Sequence, residues 1–75
     1  MPTIVEIGNV KIQVFPDDHN PPHFHVVTPD SEAVFRIADF QRLAGQVDRR
    51  ALHKALAWAR LNRKVLEDEW NRLNS

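Results

Sequence analysis

The sequence predicts an α+β domain: an antiparallel sheet of four to five strands, built from hairpins, followed by a long C-terminal helix packed on one face. Three observations carry this. Apolar and polar residues alternate in short runs through the first half, and glycine or proline sits between the runs. From Asp48 onward the apolar spacing becomes three and four, and "RRALHKALAWARLNRKVLEDEWNRLN" contains neither Pro nor Gly. The 75 residues form one domain, 1–75, strand-rich over 1–45 and helical over 46–75. A domain of this size buries only about 60% of its unfolded surface, so a partner or a second copy would add stability.

The first hairpin is "IVEI" and "VKIQVF" around Gly8-Asn9. Glycine at the first central position suits a two-residue type II′ turn. Pairing across it sets Ile7 opposite Val10, Glu6 opposite Lys11 and Val5 opposite Ile12. Val5, Ile7, Val10, Ile12 and Val14 then share one apolar side, with the Glu6–Lys11 pair on the other. A second hairpin joins "HFHVV" to "EAVFRI" through Thr28-Pro29-Asp30-Ser31, where Pro at the second position favours a type I turn. Closing it on Val27 and Glu32 pairs Val26 with Ala33, His25 with Val34, Phe24 with Phe35, and His23 with Arg36. A slip of one residue would set Phe24 against Arg36 and mix the faces, so this register is preferred. A short further strand runs through Phe40 to Leu43, with Ala38-Asp39 as a tight turn and Gly45 ending the sheet.

Asp48 is a natural N-cap for the helix. Leu52, Ala55, Leu56, Ala59, Leu66, Trp70 and Leu73 form the stripe expected to face the sheet. A second stripe, Trp58, Leu61 and Val65, widens the apolar arc beyond what one sheet requires. Either the helix breaks near Asn62 and folds into a helical hairpin, or the second stripe meets another protein surface. Unbroken, the helix would be roughly 38 Å long, more than so small a domain should span.

Ten acidic and ten basic residues cancel, which removes any whole-protein argument for nucleic acid or an acidic membrane surface. Their distribution is uneven. Residues 1–45 hold six acids and three bases, whereas residues 46–75 hold four acids and seven bases. There is no cysteine, so no disulfide is possible. "MPTIVEIGNV" has no basic region or apolar run of leader length, and no segment approaches the roughly 20 apolar residues of a membrane span. A cytoplasmic location, with no membrane partner, is the expectation. Paired catalytic carboxylates, Ser or Cys nucleophiles and Gly-rich phosphate loops find no support in the pattern.

The chemistry concentrates in "HNPPHFHV", which holds three of the four histidines. In a strand, His23 and His25 project to one face and Phe24 and Val26 to the other, with the two histidines about 6.6 Å apart at Cα. They could share a divalent metal with His19 or an Asp as third ligand. Reach opposes this, because a polyproline II run through Asn20-Pro21-Pro22 puts His19 roughly 12 Å from His23. The metal centre His19, His23, His25 is therefore the less favoured reading, and no cofactor is assigned. The predicted register also places Arg36 beside His23 and His25. That trio could bind a phosphodiester and move a proton near neutral pH, which would make His23, His25 and Arg36 the catalytic set of a metal-independent, ribonuclease-like enzyme. The plainer alternative is that Arg36 pairs with Asp17 or Asp18 while the histidines line a solvated outer face.

"MPTI", "FPDDHNPPHFHV" and "RRALHKALAWARLNRKVLEDEW" resemble the bacterial domain of unknown function family 4160 over nearly the whole chain. Asp18, His19, Pro21, Pro22, His23, Phe24, His25, Val26 and Trp58 are the residues that match its pattern. The resemblance implies a small prokaryotic protein encoded beside a second small protein, an arrangement of toxin–antitoxin type. It implies no activity and no catalytic residues. The function expected is therefore an interaction module using the histidine-rich sheet face, with Asp18 and His19 as binding residues. Its partner would be a small cognate protein from a neighbouring gene, a second copy of the chain, or both.

The helix offers two further binding surfaces. Arg49, His53, Arg60 and Lys64, with Arg50 nearby, form a basic band away from the core stripe, suited to the RNA or DNA backbone. No aromatic residue interleaves with it for base stacking. Trp58, Leu61 and Val65 form the apolar surface suited to a partner protein.

Overall fold

The computed structural model describes residues 3–16 and 21–74. Five strands, β1 (Thr3–Ile7), β2 (Val10–Gln13), β3 (His23–Val27), β4 (Glu32–Arg36) and β5 (Arg42–Gln46), precede α1 (Arg49–Leu61) and α2 (Arg63–Asn74). The strands lie in the order β1-β2-β3-β4-β5, every neighbouring pair antiparallel. This is the α+β fold the alternation predicts. No helix among the described residues is long and apolar enough to cross a membrane.

Both hairpin registers follow from side-chain period and turn chemistry. Across the first turn Ile7 faces Val10, Glu6 faces Lys11 and Val5 faces Ile12. Gly8 supplies the positive φ of +59° that a type II′ turn demands at this position, and Asn9 keeps an ordinary negative φ. Across the second, His23 faces Arg36, Phe24 faces Phe35, His25 faces Val34 and Val26 faces Ala33. Its loop is closed by Thr28, whose N–H donates to the Ser31 carbonyl at 2.8 Å and whose hydroxyl accepts from the Ser31 N–H at 3.1 Å.

The fifth strand lies later than the sequence predicts. Phe40 is not a strand residue: it stands in the loop at φ +60°, a left-handed conformation that a bulky side chain rarely adopts. Its ring meets Phe24 edge-on at 5.9 Å, and the Arg63 guanidinium lies 5.1 Å over it, contacts that offset the backbone cost. The loop closes through Arg36 N–H to the Gln41 carbonyl (2.9 Å) and Phe40 N–H to the Arg36 carbonyl (2.7 Å). Gly45 does not end the sheet but pairs with Ala33 at φ +68°, beside an irregularity in the β4–β5 register. A Cβ there would stand 2.2 Å from the Glu32 carbonyl oxygen.

The core lies between one sheet face and the helices. Val10, Ile12, Val14, Phe24, Val26, Ala33, Phe35 and Ile37 are buried on the sheet side. Ala51, Ala55 and Ala59 of α1, then Leu66 and Trp70 of α2, cover them. The deepest line of α1 is thus alanine, which lets the helix axis come close to β2, while Leu52, Leu56 and Leu73 sit half-buried at the margins. Asp48 caps α1 as predicted, its carboxylate accepting from the Ala51 N–H at 2.7 Å.

The helix breaks at Asn62. Its backbone leaves helical values (φ −129°, ψ 29°), its N–H donates to the Ala59 carbonyl and its side-chain amide donates to the Trp58 carbonyl. The Asn62 carbonyl in turn accepts from the Leu66 N–H, opening α2. Length explains the break, since an uninterrupted helix of roughly 38 Å would overrun a domain whose longest extent is 32 Å. The hairpin alternative fails, because a one-residue break does not bury the second stripe: Leu61 is 87% exposed and Val65 43%.

Gly45→Ala should destabilise the domain by at least about 2 kcal/mol in urea unfolding, because the added methyl meets backbone and the φ is unfavourable. Gly8→Ala keeps the positive-φ cost but meets only the Lys54 Nζ, 3.8 Å away, and should cost less.

Candidate functional site

The alternation that points Phe24 and Val26 into the core sends His23 and His25 the other way, as predicted. The expected solvated face is not what they meet. The Phe15 ring stands edge-on to His25 at 4.6 Å, His25 lies 5.4 Å from His23, and His23 lies 5.1 Å from Trp70 of α2. Four rings thus run from the segment after β2, across β3, to the second helix, and His23 is only 7% exposed. The Asn74 amide reinforces the junction by donating to the Phe15 carbonyl at 3.2 Å.

Each imidazole is oriented by an acceptor. His23 Nδ1 lies 2.7 Å from the Pro21 carbonyl oxygen and His25 Nδ1 lies 2.7 Å from Glu32 Oε2, so both carry their proton on Nδ1. Glu32 reaches His25 diagonally, since its direct cross-strand neighbour is Val27. The Nε2 atom of His25 is shielded from solvent. The prolines therefore do more than stiffen the chain: Pro21 presents the carbonyl that holds His23, and Pro22 extends the sheet by accepting from the Ile37 N–H at 3.0 Å.

Arg36 stands opposite His23 in the register, but its guanidinium is held elsewhere. Nε donates to Asp39 Oδ1 at 2.9 Å, and Nη2 donates to Asp39 Oδ2 at 2.6 Å and to Gln41 Oε1 at 2.5 Å. Asp39 also accepts from the Gln41 N–H. The Arg36 hydrogen bonds, helped by that N–H, hold the Asp39 carboxyl at about 2, below its ordinary 3.8. Asp39 in turn raises Arg36 above its usual value. The partner of Arg36 is thus Asp39, three residues on in the same turn, while Asp17 and Asp18 lie outside the described residues. His19 lies outside them too, and among the described residues no three His, Asp or Glu side chains converge as metal ligands.

The basic band resolves differently. Arg49, Arg50, His53 and Arg60 are exposed on α1 and have no ion pair among the described residues. Arg49, His53 and Arg60 line a shallow groove with Leu52 and Leu56. Lys64, past the break, differs from them in having a partner, Asp68 at 3.4 Å. Lys54, which the sequence reading left out, is also exposed and lines the surface beside Arg49, Arg50 and His53. Its signal was available: after the Asp48 cap, α1 contains no acid at all. Trp58 is half-buried against the core, while Leu61 and Val65 stay open.

The model of the family described as Domain of unknown function (DUF4160) matches residues 9–71. The chain belongs to that family. No curated protein and no solved structure matches it. The DUF4160 match runs from the β1–β2 turn into α2, so it takes in the ring cluster, the Arg36 turn and the basic helix. In this DUF4160 chain the histidines join sheet to helix, and the open chemistry lies on α1.

His23→Ala should lower stability by about 1–3 kcal/mol in urea titration, with loss of the contact to Trp70. His23→Phe keeps a ring there but loses the bond to Pro21, and should cost about 1 kcal/mol. An unchanged midpoint in both would show that the ring cluster carries no stability. Carboxyl NMR should find Asp39 titrating near 2 and Arg36→Gln should return it towards 3.8. Because the folded value is the lower one, the Asp39 contribution to stability is complete above 3.8 and fades as pH falls towards 2.

Proposed function

We propose that this DUF4160 chain is an interaction module of toxin–antitoxin type that grips the phosphate backbone of nucleic acid with the outer face of α1. The observation that carries the reading is the composition of that helix. Arg49, Arg50, Lys54 and Arg60, with His53, project from a helix free of acids in a chain of zero net charge. Arg49 and Arg50 even occupy the first turn, where the macrodipole disfavours cations by a few tenths of a kcal/mol to about 1 kcal/mol. A helix selected for stability alone would place acids there.

Four of the cations elsewhere are engaged, Arg36 with Asp39, Lys64 with Asp68, Arg72 with Glu69, and Arg63 over Phe40, whereas among the described residues Lys11 and Arg42 stand singly on the sheet. The α1 set is left facing solvent, spread along about 16 Å of axis, a span that covers several phosphates of one strand. With no aromatic side chain among them, the contact reads charge rather than base identity. The histidine face, expected to be the working surface, becomes the scaffold that fixes α2. A cognate protein from the neighbouring gene would then share the module with nucleic acid.

Fluorescence anisotropy on labelled 20-base-pair DNA and on an RNA strand of the same length checks this. For duplex DNA, log affinity should fall against log salt concentration with a slope of about −3 to −4, as roughly 0.9 counterion per neutralised phosphate requires for these cations. Arg49→Glu with Arg50→Glu should weaken binding at least about tenfold and flatten the slope by about 2, whereas Arg36→Gln should leave both unchanged. A flat salt response would exclude the reading.

A further inference from the structure

We infer that two copies of this chain pair antiparallel along a stripe of α1 and α2 that borders the basic face and shares Lys54 with it, with Leu61 at the two-fold axis. The stripe is Lys54, Trp58, Leu61, Val65 and Asp68, spaced by four, three, four and three residues, the seam of a helix pair. The break at Asn62 does not throw it out of phase. Ala59 and Leu66, seven residues apart on either side of the break, are both fully buried on the core side, so the line beside them keeps its phase as well.

Exposure places the contact at the bend. Leu61, 87% exposed, and Val65, 43% exposed, are two of the three large hydrophobics left open among the described residues, and they adjoin the half-buried Trp58. Charge then selects a second copy as the occupant. Lys54 lies seven residues before Leu61 and has no ion pair among the described residues; Asp68 lies seven residues after it. A two-fold axis through Leu61 therefore brings each Lys54 to the Asp68 of the second copy, twice per dimer, and sets each Trp58 beside the opposing Val65. An isologous contact needs this self-complementarity, and the stripe supplies it with apolar centre and opposite charges at equal distances. Asp68 keeps its own Lys64 at 3.4 Å on an exposed surface, a loose pair that leaves carboxylate oxygen for a second cation.

Sedimentation equilibrium of the full chain between about 10 µM and 1 mM tests this directly. The expected result is a monomer–dimer equilibrium within that range. Leu61→Glu should be monomeric throughout while its circular dichroism and melting stay those of the parent, since that side chain is outside the core. Lys54→Glu and Asp68→Lys should each weaken the dimer, and the doubly swapped chain should recover at least half of the loss in association free energy. A parent that stays monomeric at 1 mM overturns the inference and leaves the stripe to a different protein. A swapped double variant that dimerises no better than the singles overturns the antiparallel pairing.

Discussion

The close seating of α1 on β2 is the contact on which the rest of the molecule depends. Ala51, Ala55 and Ala59 form its inner line, so sheet and helix meet with small side chains between them, over Val10, Ile12 and Val14. A small domain cannot offset a poorly filled core with size, and close packing of short side chains is one way to gain dispersion from few residues. The consequence appears on the other faces. With alanine taking the deepest positions, Leu52 and Leu56 are pushed to one margin and Trp58 to the other, and the remaining circumference of α1 is left to Arg49, Arg50, His53 and Lys54.

The second constraint is length. The helical segment is longer than the sheet it covers, so it bends at Asn62, and α2 is carried to the start of β3. There it meets an imidazole rather than an aliphatic side chain. Histidine suits this place because one edge can donate to the Pro21 carbonyl while the ring face stays near Trp70. An aliphatic residue would leave that carbonyl to water, and a charged residue would carry a desolvation cost. The Pro-Pro-His-Phe-His segment is thus a junction in which alternate residues serve two layers, Phe24 the core and His23 with His25 the ring cluster.

Local chemistry made most of the fold legible. The two hairpin registers follow from strand period, a glycine turn and a Pro-Asp turn, and the Asp48 cap follows from one residue before a periodic run. What was illegible depends on contacts distant in sequence. Phe40 leaves the strand for a left-handed loop because Phe24 and Arg63 hold its ring, and no local propensity announces that. The facing of His23 was legible from alternation, but its burial was not, because Trp70 arrives 47 residues later along the chain. Asp39 is the instructive miss. It lies three residues from Arg36 in the same turn, so the spacing itself announces the pair, whereas Asp17 and Asp18 are 18 or more residues away along the chain.

Zero net charge conceals a sorted surface. Asp39, in the turn after β4, and Asp68 and Glu69, in α2, each hold a cation, and Glu32 of β4 holds His25. Beyond those engaged groups, α1 gathers Arg49, Arg50, Lys54 and Arg60 on one helix, a local positive potential that reaches about one Debye length, ~8 Å at physiological salt, into solvent. The two arginines of its first turn oppose the helix dipole, and neighbouring like charges along one face cost a few tenths of a kcal/mol each. In a domain of thin stability margin such costs are not neutral. On the function proposed above, an anion of repeating charge would restore that loss on binding, by bridging guanidinium groups that no carboxylate of the helix opposes.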